Sequence, residues 1–389
     1  MMAKKTLFVL FLVLCITPLL AIEGRLAVTT YANFFDRWYK SNAEVPLGAI
    51  PQTTHIYKRQ AFYMLPLISG FGTDAKKKAN ITYNLTIKKG AIVLLDRKSV
   101  KGLTKVVNDT SAVFLCETVL NYEFTADAKE GEYSIEITIT DNTNGQKATF
   151  GQTITVSTYK YIPRKFAVPD SFFVWQNYCY EGLEPDREID GLLFFSQPKV
   201  QTDPEKTLPM LGFFAELFKG KFYLLNAVEE HFTKMDTNER LTTIHILNLV
   251  SYAPQSLQKK FNADEKQYYQ SVKGYGLPII PDSTVKNPYL LNLLWAKFFA
   301  SGSFEHAKKI AETLELGKYE GAMARYNESG KTDRDQQEAF WETIYQKTVQ
   351  DLLQRLPNHP LFNGYCLYML TAKETAPDVV IQLERVVVR

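Results

Sequence analysis

Tyr133, Ile135, Ile137 and Ile139 alternate with Ser134, Glu136, Thr138 and Thr140. This period of two belongs to a strand with one buried and one wet face. The alternation resumes after Asp141-Asn-Thr-Asn-Gly145, with Ala148, Phe150, Ile154 and Val156 on the apolar side. Asn144-Gly145 supplies the positive φ angles of a tight hairpin, which predicts antiparallel pairing of the two runs. This hairpin is expected to close a β domain, after which the chain reads as helix.

Further strands precede it. Residues 60–69 are apolar and end at Gly70-Phe-Gly72, and residues 80–88 place Ile81, Tyr83, Leu85 and Ile87 on one face. Short apolar runs follow at 91–95 and 112–118. About seven short strands separated by turn signals predict an antiparallel, immunoglobulin-like sandwich over 26–158, without the Cys…Trp…Cys core of antibody domains. Residues 31–39, rich in aromatics, fit one face of a short helix or an aromatic lead strand equally well.

These motifs carry a resemblance. Gly131-Glu-Tyr133 opening a strand, and Asp141-Asn with Asn144-Gly145 leading to the next, look like the end of the β-sandwich modules of many secreted bacterial proteins. Gly72-Thr-Asp followed by 81–87 is similar to the preceding hairpin of such modules. The resemblance spans about a third of the chain and implies a fold; it brings no catalytic residue and no assigned activity.

The first 21 residues read as a signal peptide, with Lys4 and Lys5 ahead of an apolar run too short to span a bilayer comfortably. The expected location is therefore periplasmic or secreted, with membrane anchoring by an uncleaved signal as the alternative. Cys116, Cys179 and Cys366 then remain, an odd and sparse set that argues against a disulfide framework. Buried free thiols are the plain expectation, and a Cys179–Cys366 bridge the sharper one. Asn80, Asn84, Asn108 and Asn327 each begin an Asn-x-Ser/Thr sequon, which matters only in a glycosylating pathway. A formal charge of +3 over 389 residues, two of the cations being in the leader, gives no basis for nucleic-acid binding.

After the connector 159–169, stiffened by Pro163 and Pro169, the hydrophobic period changes to about 3.6. Helices are predicted over 170–182, 186–196, 207–219, 221–235, 288–301, 303–316, 332–356 and 362–371, and over 378–388 a helix is preferred although its Val-rich composition leaves a strand open. Another opens at the capping box Asp236-Thr-Asn-Glu239. Short loops make 170–389 an all-α domain, an α-hairpin array or an orthogonal bundle. Residues 262–286 read as one long irregular piece, in which Tyr268, Tyr269 and Tyr275 are the candidate contact surface.

Recognisable reaction chemistry is sparse in the sequence. The five histidines lack metal-site spacing, Glu229-Glu230-His231 lacks the second histidine of a zinc protease, and Gly274-x-Gly276 follows no strand. No cofactor or metal is expected. Carboxylate neighbours such as Asp333 and Asp335 are common on solvated helix faces. The 13% aromatic content falls mostly at core spacing. The expectation is a non-catalytic extracytoplasmic binding or assembly protein whose partner is an envelope or extracellular protein. A secreted glycan or peptidoglycan hydrolase with a carboxylate pair, and a carbohydrate-binding protein, are the alternatives.

Overall fold

The structure is a computed structural model that describes residues 22–42, 46–182, 186–201, 204–328 and 332–387. The leader expected at 1–21 lies outside the described residues. Nine strands occupy the N-terminal part: β1 (Glu23–Thr29), β2 (His55–Tyr57), β3 (Ala61–Ser69), β4 (Ile81–Lys89), β5 (Ile92–Leu103), β6 (Phe114–Leu115), β7 (Leu120–Glu123), β8 (Gly131–Asp141) and β9 (Lys147–Ser157). Strand β3 pairs with β1 on one side and with β6 and β7 on the other, while the second sheet runs β2-β9-β8-β4-β5. All pairings are antiparallel except that of β2 with β9.

The two sheets enclose one core. Val28, Phe62, Met64 and Ile68 come from the first sheet, and Ile81, Leu85, Ile137 and Ile154 from the second. The predicted hairpin is β8–β9, in the register Tyr133↔Ile154 and Ile137↔Phe150. Its turn differs from the Asn-Gly expectation. Only Gly145 has a positive φ, +77°, and four residues separate Asp141 from Gln146. Buried Asp141 sets the loop. Its carboxylate accepts from the Thr143 amide at 2.9 Å and from the Gly72 amide at 2.6 Å, which ties the turn to the end of β3.

Residues 31–39 hold a helix, α1 (Phe34–Lys40), placed after the lead strand β1. Phe34 and Trp38 cover the outer face of the first sheet, over Leu65, Leu67 and Leu115.

The remainder is helical: α2 (Pro169–Asn177), α3 (Glu188–Phe195), α4 (Pro204–Phe218), α5 (Phe222–His231), α6 (Thr237–Leu249), α7 (Gln255–Gln258), α8 (Ala263–Val272), α9 (Pro288–Ser301), α10 (Phe304–Glu312), α11 (Ala322–Glu328), α12 (Asp333–Arg355), α13 (Pro360–Thr371) and α14 (Pro377–Val387). The Asp236–Glu239 capping box forms reciprocally. The expectation of a wholly irregular 262–286 is corrected. Asn262 accepts from the Glu265 amide while Glu265 reaches back, a second capping box that starts α8, so only 273–287 is irregular. Cys116, Cys179 and Cys366 are all free, so the Cys179–Cys366 bridge does not form. Among the described residues, no helix is long and apolar enough to cross a membrane.

The helical part meets the β-rich part through α1 and β2. Arg37 of α1, buried, donates to the carbonyls of Ala49, Tyr180 and Ser301 and to the Asn33 side chain. Asn33 itself donates to the carbonyls of Ser301 and Gly302 at 3.1 and 2.9 Å. These oxygens end α9, where backbone carbonyls lack helical partners and the dipole favours a cation. Gly302 is left-handed, φ +63°, and a Cβ there would sit 2.5 Å from the Arg37 guanidinium. Both constraints select glycine.

Candidate functional site

Two places concentrate polar chemistry. The first is a groove of about 470 Å³ where α6, α8 and the loops after each converge. Helix α6 ends at Val250, and Ser251, at φ +56°, turns the chain so that the Tyr252 amide bonds back to the Leu247 carbonyl at 2.8 Å. The Tyr252 hydroxyl lies 3.0 Å from Asn226 Oδ1 and 3.2 Å from Glu229 Oε2. Burial, with Glu229 nearby, pushes its pKa up to about 12, so it holds its proton. On the other wall, Asn248 donates to the carbonyls of Val272 and Tyr275 at 2.9 and 3.2 Å, fixing the chain as it leaves α8.

Of the three tyrosines singled out in the sequence, Tyr269 and Tyr275 line this groove. Tyr269 is half-buried against Phe261, with ring centroids 5.8 Å apart, and Tyr275 is 71% exposed. Tyr268 does not line it. Its hydroxyl meets His245 Nδ1 at 3.2 Å, and it packs on the helical core. Tyr252 is the wall that sequence reasoning missed; its signal was the Ser-Tyr-Ala-Pro turn closing α6. Lys273 also lines the groove, its ammonium 6.0 Å from the Tyr269 ring centre, and no Asp or Glu lines it. Gly274 turns the chain with a φ of +85°, and beyond it Pro278 and Pro281 stiffen the segment. Thr284 bonds Glu315 and Lys309 bonds the Asp282 carbonyl, holding the far end. Between these anchors Ile279 is 90% exposed.

The second place is closed. Where β2, the connector and α3 meet, Tyr57, Tyr159 and Tyr223 pack ring against ring, with centroids 4.9 to 5.5 Å apart. Tyr57 donates to Asp186 at 2.9 Å and Tyr161 to Asp190 at 2.6 Å. Glu188 lies among them, 4% exposed, one carboxylate oxygen 3.6 Å from Lys221 and the other without a hydrogen-bond partner. Burial raises its pKa to about 7, against the pull of Lys221. Nearby Cys179 is pushed up to about 12 by burial, away from thiolate chemistry. This cluster joins the two halves. Among the described residues, no group of three His, Cys, Asp or Glu stands close enough to hold a metal.

No family model matches the chain, and no curated protein matches it. Among solved structures, the native conformation of E. coli alpha-2-macroglobulin is similar at 11% identity and a TM-score of 0.20, over 87% of this chain and 24% of that one. The chain thus spans about a quarter of that protein's length, and overlap this low carries no argument about fold or function.

Proposed function

We propose that this chain is a non-catalytic extracytoplasmic binding or assembly protein. In this reading residues 26–158 form an immunoglobulin-like contact module and 170–389 a helical domain that grips a partner through the tyrosine groove, with 159–169 between them. The convergence of Tyr252, Tyr269 and Tyr275 on one open groove carries the reading. Phenol rings, two of them half-buried and Tyr275 exposed, offer large, stiff contact area at low entropy cost, the composition typical of protein-binding hot spots. The exposed Ile279 beside it adds an apolar side chain that the fold does not use. Binding is favoured over hydrolysis because the groove lining has no carboxylate, whereas glycan hydrolysis needs two flanking the bond. The immunoglobulin-like reading is supported by the five-stranded sheet, in which the hairpins β4–β5 and β8–β9 adjoin and β2 runs parallel to β9.

The test is quantitative affinity purification from envelope fractions with wild type and a Tyr269→Ala/Tyr275→Ala variant. A partner enriched by wild type and depleted at least about tenfold by the variant supports the reading. Identical recovery by both overturns it.

A further inference from the structure

The tip of the β4–β5 hairpin has an apolar surface that nothing in the fold covers. Ile87 is the last fully buried residue of β4, and Leu95 the first of β5 to pack on the core. Between them the chain turns at Gly90, φ +57°, and exposes Ile92, Val93 and Leu94 by 60, 52 and 42%. Consecutive strand residues point to opposite faces, so exposure of all three means that the strand projects past the sandwich with both faces bare.

Basic groups ring this apex. Lys88 is paired with Glu136 and Lys98 with Asp96. Lys89, Arg97 and Lys129 have no carboxylate partner among the described residues. Lys89 reaches instead to the Lys129 and Glu130 carbonyls at 3.0 and 2.5 Å, which brings Lys129 beside the hairpin. The Lys89 ammonium also lies 4.3 Å from the Tyr133 ring centre, and Glu132, exposed and without an ion pair among the described residues, stands on β8 at the same end. The cations outnumber that acid, so the apolar apex is complementary to an anionic surface with an apolar interior.

A bilayer fits this better than a protein strand. The β4–β5 ladder shifts register at three places, one of them between Ile87 and Lys88, opposite Leu94. Such bulges bend an edge away from strand addition. A convex tip also leaves no concavity for a partner side chain, whereas acyl chains close around it.

We propose that the β4–β5 tip is an interfacial anchor for anionic lipid: Ile92, Val93 and Leu94 enter the acyl boundary, and Lys89, Arg97 and Lys129 meet the headgroups. The inference rests on the sandwich being the contact module and is independent of the groove, which Tyr275→Ala tests alone.

The experiment is co-sedimentation of the full chain with phosphatidylcholine vesicles, with and without about 30% phosphatidylglycerol. All variants share residues 1–21, so differences report the tip. Wild type binds the anionic vesicles more tightly. Arg97→Gln and Lys129→Gln each weaken this roughly fivefold, and Ile92→Ser/Leu94→Ser by at least about tenfold with circular dichroism and melting unchanged. In a Val93→Trp variant the indole added at the tip shifts its emission to the blue on anionic vesicles. The proposal is overturned if Ile92→Ser/Leu94→Ser binds like wild type or the Val93→Trp emission stays unchanged. It is also overturned if polyglutamate binds at the tip while vesicles do not, which would assign the patch to an acidic protein.

Discussion

The guanidinium of Arg37, on the short helix of the β-rich part, donates to the Ser301 carbonyl at the end of α9, 3.2 Å away and 264 residues along the chain. Among the described residues no carboxylate pairs with it; its donors go to carbonyls and one amide oxygen. Burying a guanidinium costs several kcal/mol, and here backbone dipoles offset that cost. The charge therefore stabilises only while the two halves stay together.

Arg37→Leu should leave the Ala49, Tyr180 and Ser301 carbonyls without their donor and destabilise the chain by about 3–5 kcal/mol. Urea unfolding followed by near- and far-ultraviolet circular dichroism should show one transition for wild type and two for the variant. A variant that unfolds in one transition at the wild-type midpoint refutes the coupling.

Backbone contact makes a second, uncharged test. Gly364 of α13 lies so close to Ser41 that an added Cβ would overlap the Ser41 carbonyl oxygen. Gly364→Ala should cost about 2 kcal/mol or more in thermal or urea unfolding. Gly48→Ala, where a Cβ meets nothing within 4 Å, should stay within about 0.5 kcal/mol of wild type.

The Glu188 cluster gives a pH dependence with a definite sign. The folded chain keeps a proton, up to about pH 7, that the unfolded chain releases above 4.5. Its contribution is full below about 4.5, is lost as pH rises to about 7, and levels off beyond, with an upper bound of roughly 3 kcal/mol. Half-buried His306 and buried His359 act oppositely. Desolvation lowers both from 6.5 to about 4, so their contribution is present above 6.5 and is lost as pH falls towards 4. Glu188→Gln should therefore gain stability over wild type between pH 5 and pH 8, measured by urea unfolding at each. An unchanged difference contradicts the assignment.

The thiols form the fourth test. Burial pushes the pKa values of Cys116 and Cys179 up to about 12, and that of Cys366 higher still. Non-reducing peptide mapping should recover Cys179 and Cys366 unlinked, with alkylation at pH 8 slow until denaturant is added. A recovered Cys179–Cys366 peptide pair would contradict the structure.

Strand and helix were legible wherever one face alone is buried. Tyr133 to Ile139 announces β8, and Asp236 with Glu239 announces α6, because period and cap are local properties. Helix α8 was missed although Asn262 and Glu265 carry the same capping logic, since the apolar spacing that follows them is weak. The exposed tip of β5 reads in sequence like an ordinary buried strand; apolar residues 91–95 do not say that the hairpin overshoots the core. In the groove, Tyr269 and Tyr275 were visible as aromatics in an irregular stretch. Tyr252 joins them only through the fold of the chain between α6 and α8, which sequence spacing does not encode.

The partner-gripping groove is best tested by placing a photo-cross-linking benzoylphenylalanine at Tyr275 in the producing cell. The expected result is one discrete adduct that disappears when Tyr269→Ala is added and that the same probe at exposed Ile381 on α14 fails to give. No adduct at Tyr275, or the same adduct from Ile381, would contradict it.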